Sequence, residues 1–352
     1  MNKVGIVTFT YGDNFGQRLQ NFAVQEYLKS LGFEPYTIKV KGLYEDNITR
    51  FKQFIQNRYS ISNIVSCLNR TKRFDEFNKQ YIRFYNTKSS KEFSAKKFND
   101  YDLFIAGSDQ VWNPNSPAVN HNYFLTFVPR EKRMSFAASF SVDEIPDGKI
   151  QEYKNYINGI DYLTVRENSG VKIINKICGK QALLVCDPTL LFNGEWWGKL
   201  ERRPKKQFTN KYILKYFLGQ TTNNESIEIF AKENGLEIID LGLKNGFYDI
   251  DPAEFVYMIH HAKYVFTDSY HGMLFSMQFN KPFRNFNRVD SNVSMNSRFE
   301  TVFSVLNVKQ ENIRSSDLDS MLNYEEISKE LEKFRERSKG ILNECILGII
   351  GK

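Results

Sequence analysis

Residues 4–21 read VGIVTFTYGDNFGQRLQN. The apolar run Val4–Thr8 is typical of a buried strand, and the apolar spacing over Gln17–Leu31 is typical of an amphipathic helix. Gly12 and Gly16 allow a tight turn between them. A strand, a glycine-containing turn and a helix in this order indicate a doubly wound α/β fold, in which ligands bind at the carboxyl ends of the strands.

The same alternation of short apolar runs and helical patterns continues along the 352 residues. Further strands are predicted at 103–106, 162–165, 182–185, 212–217, 236–241, 264–267 and 283–286. We therefore predict an α/β protein of the GT-B-like kind, with two Rossmann-like domains facing a central cleft. The predicted domains are 1–190, on the acceptor side, and 207–322, on the donor side, with C-terminal helices over 323–352 that pack back.

The formal net charge of +7 is concentrated in one segment. Residues 47–97 contain twelve Lys or Arg and three acids, which predicts a basic helical insertion in the first domain. This segment is either a solvated helical face or a surface that attracts anions, such as the inner face of a membrane. No zinc-finger, RNP or helix-turn-helix signature accompanies the charge, so a nucleic-acid partner is not expected.

The four cysteines, Cys67, Cys178, Cys186 and Cys345, are too widely spaced to suggest a metal cluster. We therefore expect the thiols to be reduced. The sequence also shows no secretory signal and no apolar run of roughly 18–20 residues, and together these features predict a cytoplasmic protein. We expect no metal and no other cofactor.

Polar residues follow two predicted strands in the first half of the chain. Asn14 and Gln17 open the first helix, where they either bind an anionic or sugar ligand or form a helix cap. The segment 106–114, AGSDQVWNP, places Asp109 where it either accepts a proton from a sugar hydroxyl or caps a turn. Trp112 either stacks on a sugar face or fills the core.

Two further strand ends carry charged or titratable residues. In 164–170, TVRENSG, Arg166 either grips a carboxylate or phosphate with two nitrogens or forms a salt bridge, for example with Glu167. In 267–272, TDSYHG, His271 lies between a strand and a helix and is suited to donate or accept a proton. His260 and His261 fall within the preceding predicted helix and are interpreted as packing or surface residues.

Together with 187–191, DPTLL, these motifs resemble the polysaccharide pyruvyl transferase family in sequence and in order. The resemblance spans roughly 4–306 and includes DPAEF at 251–255 and KPF at 281–283. It implies a GT-B-like fold and a transferase that takes phosphoenolpyruvate as donor. The implied product is a pyruvate ketal on a sugar of a bacterial surface polysaccharide, such as a capsule or exopolysaccharide, or on its lipid-linked precursor.

The resemblance also implies residue roles. His271 is the expected general acid, Asp109 the expected base, and Arg166 an expected donor contact. Ser269 and Tyr270, which adjoin His271 in the same motif, are also expected to contact the donor. Acceptor contacts are expected from Asn14, Gln17 and Trp112. A lipid-linked acceptor would make peripheral contact with the inner membrane face an additional expectation, through the basic segment 47–97.

One departure from the family pattern concerns the donor site. Many members carry an arginine two positions before the histidine, where this chain has Ser269. Because phosphoenolpyruvate carries a phosphate and a carboxylate, another cation should compensate, and Arg298, Arg284 and Arg288 are the candidates. The alternative functions are a nucleotide-sugar glycosyltransferase of the same architecture and a non-catalytic sugar-binding relative.

Overall fold

The chain folds into parallel strands with helices between them. The structure is a computed structural model that describes residues 2–39, 61–85, 95–219, 224–243, 246–286, 297–309 and 322–351. Two compact units are present. The first comprises Met1–Gln53, Asn78–Leu191 and Lys333–Lys352, and the second comprises Phe54–Phe77 and Phe192–Glu332.

The elements follow one another as strand and helix along most of the described chain. The strands are β1 (Lys3–Val7), β2 (Glu34–Ile38), β3 (Phe84–Tyr85), β4 (Leu103–Ala106), β5 (Arg133–Ser135), β6 (Thr164–Val165), β7 (Leu183–Leu184), β8 (Tyr212–Tyr216), β9 (Glu237–Asp240), β10 (Tyr264–Thr267) and β11 (Phe283–Asn285). The helices are α1 (Phe15–Ser30), α2 (Ile61–Tyr81), α3 (Ile150–Asn158), α4 (Asn168–Cys178), α5 (Gly194–Gly198), α6 (Asn224–Glu233), α7 (Pro252–His260), α8 (Tyr270–Gln278), α9 (Ser297–Val305) and α10 (Tyr324–Ile350).

The first unit is built on a parallel sheet with the order β3-β2-β1-β4-β5. Parallel bridges join Met134 to Tyr162 and Ala138 to Val165, so the β6–β7 pair continues the sheet beyond β5. This is the strand order of a Rossmann-type doubly wound sheet. The strand ends that carry Asp109, Arg166 and Asp187 therefore belong to neighbouring parts of one sheet.

The central strand β1 depends on a glycine for its packing. A Cβ on Gly5 would lie 2.5 Å from ring carbons of Phe104 and 2.9 Å from Ile38 Cδ1. Phe104 is fully buried in an aromatic cluster with Phe98, Tyr101 and Phe127. The absent side chain thus lets the Phe104 ring lie against the backbone of β1.

The second unit contains a smaller parallel sheet with the order β11-β10-β8-β9. Its core on one face includes Ile213, Tyr264 and Phe266, and Ile227 and Ala231 of α6 pack against them. The predicted α/β class with parallel sheets is confirmed in both units. The cleft expected between the domains stays a prediction.

The segment DPAEF at 251–255 begins helix α7. Asp251 accepts hydrogen bonds from the backbone of Ala253 and Glu254, and Glu254 accepts one from the backbone of Asp251, which is a complete capping box. Both carboxylates are buried and both bond to Arg73 of α2, while Arg202 also bonds to Asp251. This motif therefore fixes a helix start and attaches α2 to the second unit.

The compact units differ from the expected domains in the membership of two segments. The boundary after Leu191 lies next to the expected end of the first domain at 190, but the part of the basic segment described in α2 up to Phe77 belongs to the second unit instead of the first. The expected terminal helices are one helix, α10, whose part from Lys333 belongs to the first unit. There Arg335 donates to the Leu190 carbonyl and Ser338 accepts from the Cys186 amide.

No helix in the described residues is sufficiently long and apolar to cross a membrane.

Replacing Gly5 with alanine should destabilise the first unit by about 1–3 kcal/mol, because the added methyl overlaps the Phe104 ring. Urea denaturation followed by circular dichroism measures the change. The matched control is Gly340→Ala in α10, where an added Cβ meets nothing within 4 Å. That variant should gain about 0.5–1 kcal/mol from helix propensity. Equal stability of the two variants would contradict the close approach.

Candidate active site

A cluster of one arginine and three carboxylates lies at the strand ends of the first unit. We call Ser108, Asp109, Arg166, Glu167 and Asp187 the Arg166 cluster. Asp109 follows β4, Arg166 and Glu167 follow β6, and Asp187 follows β7. The sequence singled out Asp109 and Arg166, and the structure brings them together at 3.4 Å between Asp109 Oδ1 and Arg166 Nη2.

The guanidinium of Arg166 is fully buried and paired on several sides. Its Nη1 lies 2.7 Å from Asp187 Oδ2, and its Nε lies 3.8 Å from Glu167 Oε2. Nη1 also donates to Ser108 Oγ at 3.3 Å. One positive charge thus faces three carboxylates, so the cluster offers no surplus positive charge to an anionic donor.

Two of the three carboxylates have further structural partners. Thr189 donates to Asp187 Oδ1 from its amide at 3.0 Å and from its hydroxyl at 2.8 Å. The amides of Phe140 and Ser141 donate to Glu167 Oε1 at 2.7 and 3.2 Å. Asp187 and Glu167 therefore hold loops in place, and Asp109 remains the carboxylate of the cluster best suited to act on a substrate.

Asp109 has a strained backbone. Its φ is +74°, in the left-handed region that costs a non-glycine residue free energy. Its carbonyl accepts hydrogen bonds from the amides of Val111 at 2.7 Å and Ser139 at 3.0 Å, which fix this conformation. Ala137 and Ser141, in the loop that bonds to Glu167, also have left-handed φ values of +56° and +53°. Strain held by such surrounding contacts is common at functional sites.

The start of α1 supports the capping interpretation of Asn14. Its side chain accepts from the Gln17 amide at 3.2 Å and forms the helix N-cap. Gln17 is half-buried, and its Oε1 has no hydrogen-bond partner among the described residues. Gln20 of the same helix donates to Thr8 Oγ1 at 3.0 Å, and Thr8 Oγ1 donates to the Ser108 carbonyl at 2.8 Å. Hydrogen bonds therefore connect α1 to the strand end that carries Asp109.

Trp112 is a core residue, which corrects its expected role as an acceptor contact. Its side chain is fully buried and its ring stacks on Phe124 with 5.3 Å between centroids. Its indole Nε1 donates to the Tyr123 carbonyl at 3.0 Å. Both the ring face and the polar atom are thus used in packing, so no sugar face has access to this ring.

The TDSYHG motif of the second unit is largely structural. Thr267 Oγ1 donates to the Tyr216 carbonyl at 2.6 Å, and Asp268 accepts from the amides of Leu218 at 2.7 Å and Gly219 at 2.8 Å. Ser269 is the N-cap of α8, with its hydroxyl accepting from the Gly272 amide at 3.3 Å. The expected donor contact at Ser269 is therefore a helix cap, on a side chain that is 2 % exposed.

Gly272 permits the close packing of α8 on β10. A Cβ at this position would lie 2.7 Å from Thr267 Oγ1. Four residues of the motif thus hold the strand-to-helix turn, namely Thr267, Asp268, Ser269 and Gly272. Tyr270 and His271 are its remaining side chains.

Tyr270 and His271 lie in the first turn of α8, and Arg298 lies over the ring of Tyr270. The rings of Tyr270 and His271 are 5.5 Å apart, and the Arg298 guanidinium lies over the Tyr270 ring at 5.3 Å. Tyr270 also packs edge-on against Phe299 of α9. His271 is 7 % exposed and Arg298 is 4 % exposed. The arrangement combines a titratable ring, a cation and a helix N-terminus, which suits an anionic ligand.

Of the other two candidate cations, Arg284 lies within the described residues. Arg284 of β11 lies over the Phe266 ring at 5.7 Å, and burial lowers the pKa of its guanidinium. Arg288 lies outside the described residues. Of the candidates that the structure describes, Arg298 is the one that lies over the ring of Tyr270, the residue next to His271.

The basic segment 47–97 is described only in part, at 61–85 and 95–97. Within α2, Arg73 bonds to Asp251 and Glu254 and Arg70 bonds to the Tyr248 carbonyl, so these two cations serve internal contacts. Lys72 and Lys79 are exposed. Peripheral membrane contact stays a prediction.

Sequence reasoning missed the roles of Ser108 and Asp187 in the Arg166 cluster. Ser108 comes shortly after β4 and Asp187 shortly after β7, and a polar residue soon after a strand was the available signal. Their pairing with Arg166 joins residues 58 and 21 positions apart, which no local pattern indicates.

Comparison with known proteins gives a family and a fold. The family model described as "Polysaccharide pyruvyl transferase" matches residues 14–291. No curated protein matches the sequence.

Among solved structures, UDP-GlcNAc 2-epimerase from Neisseria meningitidis, bound to UDP-GlcNAc, superposes with a TM-score of 0.52 at 11% identity. The alignment covers 99% of this chain and 100% of that chain. A candidate UDP-N-acetylglucosamine 2-epimerase from Listeria monocytogenes gives 0.50 at 9% identity, covering 97% of this chain and 90% of that one. Such low identities establish the fold alone, which is GT-B-like as predicted.

The backbone strain at Asp109 predicts an ordering of two variants. Asp109→Gly and Asp109→Ala remove the same carboxylate, but only glycine adopts a positive φ without cost. The glycine variant should therefore be more stable than the alanine variant by about 1 kcal/mol. Thermal unfolding of both proteins measures this difference. An alanine variant as stable as the glycine variant would exclude strain at this position.

Proposed function

Because the chain belongs to the polysaccharide pyruvyl transferase family, we propose that it transfers a pyruvyl group from phosphoenolpyruvate to a sugar. The product is a cyclic ketal that bridges two hydroxyls of a surface polysaccharide or of its lipid-linked precursor. The observation that carries the proposal is the turn at His271. Its neighbours Thr267, Asp268 and Ser269 hold the turn, and Arg298 lies over the adjacent Tyr270 ring.

The reaction begins with protonation of the donor. His271 gives a proton to the methylene carbon of phosphoenolpyruvate, which becomes a methyl group, and the neighbouring carbon becomes oxocarbenium-like. A sugar hydroxyl attacks that carbon and loses its proton to Asp109. The carbon–oxygen bond to phosphate then breaks, the second hydroxyl closes the ketal, and its proton leaves with the phosphate. This sequence needs an acid, a base and an anion-binding group.

Arg298 and the amino end of α8 supply the anion-binding group in this proposal. The Tyr270 ring supports the guanidinium from one side at 5.3 Å, and a helix N-terminus attracts phosphate or carboxylate. Arg298 thereby takes the place of the family arginine that Ser269 replaces.

Arg166 acts as a positioning residue in this proposal, which revises the expected donor contact. A buried guanidinium that already faces Asp109, Glu167 and Asp187 has little attraction left for a trianionic donor. Its contact at 3.4 Å instead keeps the Asp109 carboxylate oriented.

Gln17 keeps its proposed acceptor contact, since its amide oxygen lacks a hydrogen-bond partner among the described residues. Asn14 acts through the helix cap that it forms.

The proposed reaction is tested by phosphate release from phosphoenolpyruvate across a panel of saccharides, with mass detection of the ketal. We expect release that depends on one acceptor and a matching ketal adduct. UDP-sugars are tested as donors in parallel. Sugar transfer from a UDP-sugar without phosphate release from phosphoenolpyruvate would establish a glycosyltransferase instead. Saccharide binding with neither reaction would establish a sugar-binding protein.

His271→Gln should lower kcat by about 10² to 10⁴ while the protein stays folded, because the general acid is lost. Steady-state kinetics and circular dichroism give the two readouts. The matched control is His121→Gln, an exposed histidine of the first unit whose ring bonds to Thr126. This control should retain full turnover. A folded His271→Gln protein with undiminished kcat would remove His271 from the mechanism.

Arg298→Met should raise KM for phosphoenolpyruvate by about tenfold or more, because a charge-assisted contact to phosphate or carboxylate is lost. Arg298→Lys should recover part of the affinity, since it keeps the charge but not the planar guanidinium. Arg284→Met, which removes a cation that lies over Phe266, should change KM much less. A larger effect at Arg284 than at Arg298 would reassign the donor cation.

A further inference from the structure

Two histidines and a glutamate form a second cluster of titratable side chains in the second unit. His260 is the last residue of α7 and His261 is its C-cap, while Glu201 lies in the segment after α5. His260 Nδ1 lies 2.7 Å from Glu201 Oε2, and His261 Nε2 lies 3.1 Å from Glu201 Oε1. We call these three residues the His-His-Glu cluster. None of its members belongs to the site proposed for pyruvyl transfer.

We propose that the His-His-Glu cluster binds a divalent transition-metal cation of the Zn²⁺ class. Its potential ligand atoms, one from each residue, all lie within 4.8 Å of one another. Zn²⁺ binds imidazole nitrogen and carboxylate oxygen at about 2.0–2.2 Å, which corresponds to ligand separations of about 3.3 Å in a tetrahedron. The imidazole nitrogens lie 2.7 and 3.1 Å from oxygens of Glu201, which is close to this separation, and solvent or another ligand would complete the coordination.

The two imidazole rings are held in place by aromatic neighbours. The His260 ring stacks on Phe279 at 4.2 Å between centroids, and the His261 ring stacks on Tyr257 at 4.1 Å. The His261 amide donates to the Tyr257 carbonyl at 3.0 Å, which fixes the backbone at the helix end. Rings with restricted rotation lose little entropy when a metal binds.

The backbone beside Glu201 is also anchored to α7. The Arg202 amide donates to the Ala253 carbonyl at 3.2 Å, and the Arg202 side chain bonds to Asp251 at the start of the helix. Glu201 is 19% exposed, whereas His260 and His261 are 37% and 43% exposed. The site therefore combines a fixed carboxylate with two imidazoles that an ion can reach from solvent.

The ligand set determines which cations fit. Two imidazoles and one carboxylate favour Zn²⁺, Co²⁺ or Ni²⁺, whereas Mg²⁺ and Ca²⁺ require mainly oxygen ligands. The charge of Lys281 opposes any cation here. Burial lowers the pKa of Lys281, nearby Lys263 acts in the same direction, and Glu201 acts in the opposite direction. A bound metal would link the segment after α5 to the end of α7 and stabilise the second unit.

The test uses the full-length chain without an affinity tag, freed of metal by a chelator and titrated with Co²⁺ or Zn²⁺. Calorimetry should show one saturable site per chain, and Co²⁺ should give the visible absorption of an ion bound by nitrogen and oxygen. Zn²⁺ should displace Co²⁺, and Mg²⁺ should not. The midpoint of thermal unfolding should rise with Zn²⁺ concentration, because a ligand that binds only the folded state stabilises it.

Variants locate the ion. Glu201→Gln, His260→Gln and His261→Gln should each weaken Zn²⁺ binding by about tenfold or more, since each removes a direct ligand. His121→Gln and Cys178→Ser are the matched controls and should bind as the parent does. Lys281→Gln should bind more tightly. Absence of a saturable site, or binding that survives all three ligand substitutions, would overturn the proposal. Neither result depends on pyruvyl transfer, so the two proposals fail separately.

Discussion

The burial of the Arg166 guanidinium constrains the strand ends of the first unit. A buried charge is costly unless opposite charges and hydrogen-bond acceptors surround it, so acceptors must converge on it from β4 and β7 as well as from β6 itself. Ser108, Asp109, Glu167 and Asp187 meet that need. Because the carboxylates outnumber the arginine, two of them require other donors, which the amides of Thr189, Phe140 and Ser141 provide. Among the described residues, Asp109 lacks such amide donors, lies 3.4 Å from Arg166 and has a side chain that is 9% exposed, which suits the role of base proposed for it.

In the second unit, the turn after β10 is also held in place, but by different contacts. Its sheet has fewer strands, and the turn after β10 is held by hydroxyls, amides and a glycine in close contact instead of a buried ion-pair cluster. Asp268 crosses to the end of β8 and satisfies two amides there. A turn fixed in this way holds the first residues of α8 in place, which suits the general acid proposed at His271.

The sequence predicts the alternation of strands and helices well, because apolar periodicity is a local property. It fails for β2, β3 and β5, which are strands because they pair with β1, β2 and β4. In β2 and β5, Glu34, Pro35 and Arg133 interrupt the apolar pattern. The convergence of Asp109 and Arg166 is also predictable, since the carboxyl ends of parallel strands lie at one edge of a sheet. The contacts that each of these side chains makes are not predictable from the sequence. The indole of Trp112 donates to the Tyr123 carbonyl in the core, and Asp268 accepts hydrogen bonds from amides 50 and 49 residues away.

The serine at position 269 illustrates how one departure from a family pattern involves several residues. A helix N-cap needs a short side chain that turns back to the amides of the first turn, as Ser269 does to Gly272. An arginine at the same position would be too long for that geometry, so capping and cation delivery are competing uses of one residue. In the proposed site, Arg298 of α9 is the cation instead, and its guanidinium lies over the ring of Tyr270 at 5.3 Å. The roles proposed for Ser269, Tyr270 and Arg298 therefore depend on one another. Restoring arginine at 269 alone would remove a cap and place a second cation beside the first.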